Sequence, residues 1–380
     1  ITANATLPTT FMKIFQQNEV AVQATSEITR SNKGIELVMV LDTTGSMAGS
    51  KITSLQSAAH DLVDILFGTN TTSPNIWVGL VPFSQTVNIG TSRASWLDGT
   101  TFNWGTGSWK GCVDARASTN RDITDDPPSV ERLRAYYWPD DDTYNNWVIA
   151  PTSSTTSLCS NRSSCTCANY GPCTTTTSGS TTTTISCTGS GSNRSCSRRV
   201  DTAQTYSISE TGTTQRGPNA YCPAEMMGMT NVKATIDGAI DTIAPGGNTH
   251  VNFGAVWGWR MLSPRWRGLW GGTMDANNLP LNYNTPLMQK AIIIMTDGTN
   301  TMSNGIRSAY GLLSEGRLGT TNASTAVTRL NQRLTAVCNS LKAQNVLVYT
   351  ILFQENDSTI QTLLRNCATT PDYFFNSPSE

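Results

Sequence analysis

Histidine, net charge and long apolar runs are the three things this 380-residue chain has little of. Its two histidines, His60 and His250, lie far apart in sequence. No Ser/His/Asp or Cys/His catalytic set can be argued from so few, so nucleophilic catalysis of that kind is not expected. Charged residues make up 14% of the chain and the formal net charge is −1. That balance gives no electrostatic reason to expect nucleic acid or an acidic membrane surface as partner. No apolar run approaches the roughly 20 residues that span a bilayer. The chain opens at Ile1 rather than Met. An upstream signal or anchor is therefore expected to have been removed or left out, and any membrane attachment would run through that missing amino-terminal anchor.

Cysteine, by contrast, is present ten times. Cys159, Cys165, Cys167, Cys173, Cys187 and Cys196 crowd into one Ser/Thr/Gly-rich stretch, while Cys112, Cys222, Cys338 and Cys367 stand apart. Zinc is the rival reading, but Cys165-Thr166-Cys167 is shorter than knuckle spacing and both histidines are remote. Disulfides are preferred, and with them an oxidising compartment: extracellular, cell surface or periplasmic.

The stretch Val38-Met39-Val40-Leu41 reads as a strand buried on both faces, as in the middle of a parallel sheet. It ends in Asp42-Thr43-Thr44-Gly45-Ser46, oxygen-bearing except at the turn glycine. Ile52, Leu55, Ala59, Leu62 and Leu66 then recur at helical spacing. Residues 77–83 predict a second strand, and 86–89 a short third one paired to it as a hairpin. Met226, Met229, Val232, Ile236, Ile240 and Ile243 predict a helix ended by Pro245-Gly246-Gly247, and Val251, Ala255, Trp259 and Leu262 another. Ala291 to Thr296 is an apolar strand ending in Asp297. Beyond it come a helix through Val327, Leu330, Leu334, Val337 and Leu341, a strand over 346–353, a short helix at Ile360, Leu363 and Leu364, and a last strand at 373–375.

Strands alternating with helices predict an α/β fold, a doubly wound, mainly parallel sheet flanked by helices, with a large disulfide-rich irregular insertion. The expected organisation is an amino-terminal arm or stalk remnant over 1–34, a first part of the α/β domain over 35–90, the insertion over 91–222, and a second part over 223–380. The arm has an apolar patch at 11–15. The insertion carries the acidic triplet 140–142, read as a solvated turn, and Thr runs read as flexible polar linker.

Three separated loops carry matching chemistry. Asp42, Thr44 and Ser46 follow one strand, Thr249 sits in a Gly-rich loop before a helix, and Asp297 ends another strand. Open α/β sheets bind ligands beyond the carboxyl ends of their strands. A hard divalent cation takes carboxylate, hydroxyl and water oxygens. Neither histidine is read as a ligand, because such an ion prefers oxygen.

Asp42-x-Thr44-x-Ser46, then Thr249, then Asp297-Gly298 resembles the metal-ion-dependent adhesion site of von Willebrand factor A domains, over about 35–90 and 223–377. The resemblance implies Mg²⁺, with Mn²⁺ or Ca²⁺ as substitutes, held directly by the hydroxyls of Ser46 and Thr44, with Thr249 direct or nearly so and Asp42 and Asp297 acting through water. It implies an open position for an Asp or Glu of a protein partner. The segment 7–12, Gly246-Gly247-Asn248-Thr249, Trp257-Gly258-Trp259-Arg260 and Cys338…Cys367 are similar to bacterial TadE/TadG-like proteins of Flp (tight-adherence) pilus assembly. That likeness implies a pilus-associated, extracytoplasmic role with pilus subunits or a second copy as partner. It also implies bonds from Cys338 to Cys367 and from Cys112 to Cys222.

Two rivals stay open at this point. A filament or surface-layer subunit would use the metal only to stabilise its fold. Asp42-Thr43-Thr44-Gly45-Ser46 and Asp297-Gly298-Thr299-Asn300 also resemble the loops of haloacid-dehalogenase-like phosphohydrolases, with Asp42 as nucleophile. That chemistry needs a Lys near both loops. Lys290 precedes its strand and Lys233 lies in a helical pattern, so an enzyme is not expected.

Overall fold

The computed structural model describes residues 2–8, 19–25, 34–102, 104, 108–138, 149–170, 173–178, 181–206 and 217–377. The apolar patch at 11–15, the acidic triplet at 140–142 and residues 9–12 of the amino-terminal segment lie outside them. The chain forms two compact units, one from 1–101, 109–137 and 219–380, the other from 102–108 and 138–218.

In the first unit, β1 (Thr2–Pro8) pairs antiparallel with β2 (Glu19–Thr25). β3 (Gly34–Asp42) leads through the helix Ser50–Phe67 to β4 (Ile76–Phe83), β5 (Val87–Asn88) and β6 (Cys112–Val113). The second unit contributes β7 (Ile149–Cys159), β8 (Thr175–Ser178), β9 (Thr181–Thr188) and β10 (Ser195–Tyr206). The first unit resumes with β11 (Met227–Thr230), the helices Lys233–Asp241 and Val251–Leu262, and β12 (Met288–Thr296). It closes with the helix Ala323–Ala343, β13 (Leu347–Phe353), the helix Ser358–Cys367 and β14 (Phe374–Ser377).

The main sheet runs β14-β13-β12-β3-β4-β5-β6, with β11 also paired to β4. β3 is parallel to both β12 and β4, and β13 and β14 extend the parallel set. Alternation along β3 divides the core between the two faces. Leu37, Met39 and Leu41 pack with Ile52, Leu55 and Val63 of the helix Ser50–Phe67 and with Ile236 and Ile240. Val38 and Val40 face Val256 and Trp257, in a cluster that also takes in Leu330, Leu334 and Leu364. Helices therefore cover both faces of a mostly parallel sheet, which is a doubly wound α/β fold.

The helix Val251–Leu262 is buried along its whole length, including Asn252 and Arg260. Two glycines let it lie close to the sheet. A Cβ on Gly254 would come within 2.6 Å of the Phe83 ring, and one on Gly258 within 2.5 Å of Val40 Cγ2.

The structure corrects the helix expected to begin at Met226. Met227–Thr230 is an edge strand antiparallel to β4, and helix runs only over Lys233–Asp241. Opposite Val78 to Leu80 the strand carries an extra residue, a bulge that sends Met227 toward one core and Met229 toward the other. The three-and-four spacing of the methionines mimics a helix because a bulge shifts the strand's period of two.

The threonine runs are strands rather than linker: β7-β10-β9-β8 form a four-stranded antiparallel sheet. The branched Cβ of threonine favours extended backbone, which accounts for order in a stretch so poor in large apolar residues. Disulfides join Cys159 to Cys165, Cys167 to Cys173 and Cys187 to Cys196 there. In the first unit Cys112 is bonded to Cys222 and Cys338 to Cys367. No helix among the described residues is long and apolar enough to cross a membrane.

Candidate metal centre

Because β3 and β12 are adjacent and parallel, with Leu41 opposite Met295, their carboxyl ends deliver Asp42 and Asp297 to one place. The backbone N–H of Thr44 donates to Asp42 Oδ1 (2.9 Å) and Thr296 Oγ1 donates to Asp42 Oδ2 (2.6 Å). A single 3₁₀ turn, Gly45–Met47, then swings Ser46 back over the strand ends. Ser46 Oγ donates to Asp297 Oδ1 at 2.7 Å and lies 3.0 Å from Thr44 Oγ1. Thr249 Oγ1 donates to Thr44 Oγ1 at 3.3 Å. Thr249, Thr44, Ser46 and Asp297 thus form one chain of hydrogen bonds, with Asp42 anchored beneath it.

The Thr249 loop is fastened from two sides. Gly246 N donates to Thr43 O (2.8 Å) and Gly45 N to Gly247 O (2.9 Å), and Gly247 takes a φ of +80° that suits glycine. On the other side Thr249 N donates to Thr301 Oγ1 (3.1 Å) and Val251 N to Asn300 Oδ1 (2.8 Å). The polar run after Asp297 therefore does double duty: it ends a strand and caps the helix that follows Thr249.

Asp42 is wholly buried and Asp297 is 3% exposed. Burial first, and then the negative charge of Asp297, push the Asp42 carboxyl up to about 6. Among the described residues the one ammonium on this pair is Lys51, whose Nζ donates to Asp297 Oδ2 at 2.7 Å. The donors are three hydroxyls and two carboxylates, all hard oxygen, with no nitrogen or sulfur among them. Neighbouring ligands on an octahedral Mg²⁺ at about 2.1 Å stand about 3.0 Å apart. The hydroxyl separations of 3.0 and 3.3 Å are close to that spacing, so the residues fit such an ion.

Sequence reasoning singled out Asp42, Thr44, Ser46, Thr249 and Asp297, and the fold brings all five together. It missed Lys51 and Thr296. Lys51 reads in sequence only as the opening of a helix, and Thr296 only as the last residue of a strand. Among the described residues neither histidine ring is hydrogen-bonded to those five. His60 lies between Asp237 and Asp241, 3.0 Å from each. His250 is buried against the Tyr310 ring, where burial lowers its pKa to about 3. Cys167, Cys173 and Cys187 cluster closely, but their sulfurs are held in disulfides.

No family model and no curated protein matches the chain. Among solved structures, the vWF domain of the type V pili tip protein Mfa5 from Porphyromonas gingivalis is similar at 10% identity and TM-score 0.37, covering 91% of this chain and 90% of that one. A structure of three N-terminal domains of the same protein aligns at 10% identity and TM-score 0.38, covering 99% of this chain and 53% of that one. Proximal thread matrix protein 1 from the mussel byssus aligns at 12% identity and TM-score 0.33, covering 92% of this chain and 42% of that one. This chain therefore spans less than half the length of the byssus protein. The functional reading rests on the chain's own residues.

Proposed function

We propose that this chain is a von Willebrand A-type adhesion or pilus-associated protein that binds a protein partner through a divalent cation. The observation that carries the reading is the hydrogen-bonded row Thr249–Thr44–Ser46–Asp297 at the carboxyl ends of two adjacent parallel strands. Thr44, Ser46 and Thr249 would hold Mg²⁺ through their hydroxyls, with Asp42 and Asp297 supplying charge from behind. The bound ion would supply Lewis acidity toward a carboxylate oxygen of the partner. Ser46 is exposed while Asp42 and Thr44 are buried, which supports an approach from the Ser46 side. The five disulfides support an extracytoplasmic setting.

Binding is favoured over phosphoryl transfer by one observation: both oxygens of Asp42 are engaged by Thr44 and Thr296, which leaves a poor nucleophile. Lys290 lies near the opposite end of β12, paired with Glu36, but Lys51 does bring an ammonium to Asp297, so the distinction rests on Asp42 and not on a missing lysine.

Isothermal titration with Mg²⁺, on wild type and on Ser46→Ala, tests the site. Wild type is expected to bind one ion per chain and Ser46→Ala to lose that binding with its thermal unfolding profile nearly unchanged. A short Asp-bearing peptide should then bind only with Mg²⁺ present, and its Asn analogue not at all. Cation binding unaltered in Ser46→Ala would remove the proposal. Cation binding without any carboxylate binding would favour a metal that only stabilises the fold.

A further inference from the structure

Apart from the metal loops, the first unit holds a cavity of about 350 Å³ walled by Arg116, Arg317, Arg329 and Arg333, with Asp122 the one carboxylate in its lining. The four guanidinium groups are not equally committed. Arg317 donates to Asp114 Oδ2 and to Ala115 O, each at 2.9 Å, and Arg333 donates through Nε to Asp122 Oδ2 at 2.6 Å. Arg116 is only 5% exposed; its Nε and Nη1 donate to the carbonyls of Glu131 (2.9 Å) and Asp126 (2.7 Å). Its Nη2 is buried with no hydrogen-bond partner among the described residues. The Arg329 guanidinium has neither a hydrogen bond nor an ion pair among them, and it reaches over Gly319 at the cavity's edge.

A buried guanidinium N–H without a protein acceptor keeps its donor capacity, and a ligand oxygen in the cavity can accept from it. The fixed fork of a guanidinium matches the paired oxygens of a carboxylate or a phosphate. The exposed Ser118 and Thr119 add hydroxyls at the rim, and Tyr310 supplies a ring wall. The volume lies at the small end of ligand pockets, about 300–1,000 Å³.

We infer that this cavity binds a small oxyanion of acidic-sugar size, a carboxylate or phosphate borne on a polyhydroxy body, through Arg116 and Arg329. Neither the cation nor the Thr249 loop is needed for this site. It stands or falls independently of the adhesion reading.

Calorimetry on the full chain at low ionic strength, in EDTA, tests it with four probes: glucuronate, glucose 6-phosphate, inorganic phosphate and glucose. Glucuronate or glucose 6-phosphate is expected to bind, and which of them binds tells carboxylate from phosphate. Glucose is expected not to bind. Arg329→Ala, which removes an exposed and unbonded side chain, should weaken binding about tenfold, the scale of one charge-assisted hydrogen bond. Its unfolding temperature serves as the control for folding. Absence of binding by both sugar acids overturns the inference. So does binding of inorganic phosphate alone, glucose binding as tightly as glucuronate, or affinity unchanged in Arg329→Ala.

Discussion

Lys51 Nζ stands 2.7 Å from Asp297 Oδ2, on the oxygen opposite the one that accepts from Ser46. The ammonium is 23% exposed and the carboxylate fully buried, so this contact neutralises one of two acids at the strand ends. It also ties the first turn of the helix Ser50–Phe67 to the end of β12, joining two of the three loops that meet at the centre. A cation on the same carboxylates would share that task with Lys51.

Lys51→Met therefore separates the two roles. Without the ammonium, Asp42 and Asp297 are left buried with no opposite charge, and the cation-free protein should lose about 1–3 kcal/mol. The gain in unfolding temperature on adding Mg²⁺ should grow, because the ion then meets an uncompensated pair. Thermal unfolding of both proteins in EDTA and in Mg²⁺ checks this. An equal Mg²⁺ increment in the two would mean that Lys51 and the ion do not share the carboxylates.

A second pairing gives a pH signature remote from the centre. His60 Nδ1 faces Asp237 Oδ1 and Nε2 faces Asp241 Oδ1, bridging the helices Ser50–Phe67 and Lys233–Asp241. Burial opposes protonation of the ring, but the two carboxylates outweigh it and the pKa rises above 6.5. A raised folded-state value means that this stabilisation is fully present below the unfolded value near 6.5 and is lost as pH climbs through the folded one. Wild type should then lose about 1–2 °C in unfolding temperature across that window relative to His60→Gln, the scale of one screened surface pair. Parallel melting curves for both proteins from pH 6 to pH 9 provide the check, and superimposable pH dependences would refute it.

How far the sequence carries depends on what each signal measures. Buried parallel strands announce themselves as apolar runs, and β3, β4, β12 and β13 lie where such runs stand. The strand ends made Asp42 and Asp297 legible because a polar oxygen directly after a buried strand has few other places to go. Thr249 was legible only beside them. Lys51 and Thr296 were not, since each acts through a contact with a residue about 250 positions away. Met226 and Met229 misled for a local reason, the bulge opposite β4. The cavity arginines were invisible too: Arg116 and Arg329 are neighbours only because 109–137 packs in the same unit as the helix Ala323–Ala343.

The placement of Thr249 depends on how closely its helix can approach the sheet, and Gly258 sets that distance. A Cβ there would stand 2.5 Å from Val40 Cγ2 and 2.6 Å from Ile292 Cδ1, inside the closest contacts that carbon atoms make. Alanine is the better helix former by about 1 kcal/mol. Overpacking a core costs about 1–3 kcal/mol, so Gly258→Ala should be net destabilising. Gly238 supplies the contrast: it lies in the helix Lys233–Asp241, and a Cβ added there meets nothing within 4 Å. Gly238→Ala should therefore raise stability by up to about 1 kcal/mol through propensity alone. Denaturant melts of the two variants should move in opposite directions from wild type. Val40 lies two residues before Asp42 on β3, so a helix pushed off Val40 also draws Thr249 away from Thr44. Gly258→Ala should accordingly weaken Mg²⁺ binding, whereas Gly238→Ala should leave it as it is. A Gly258→Ala protein with wild-type stability and wild-type Mg²⁺ affinity would show that the helix has room to spare, and that Thr249 is held by its hydrogen bonds to Thr301 and Thr44 alone.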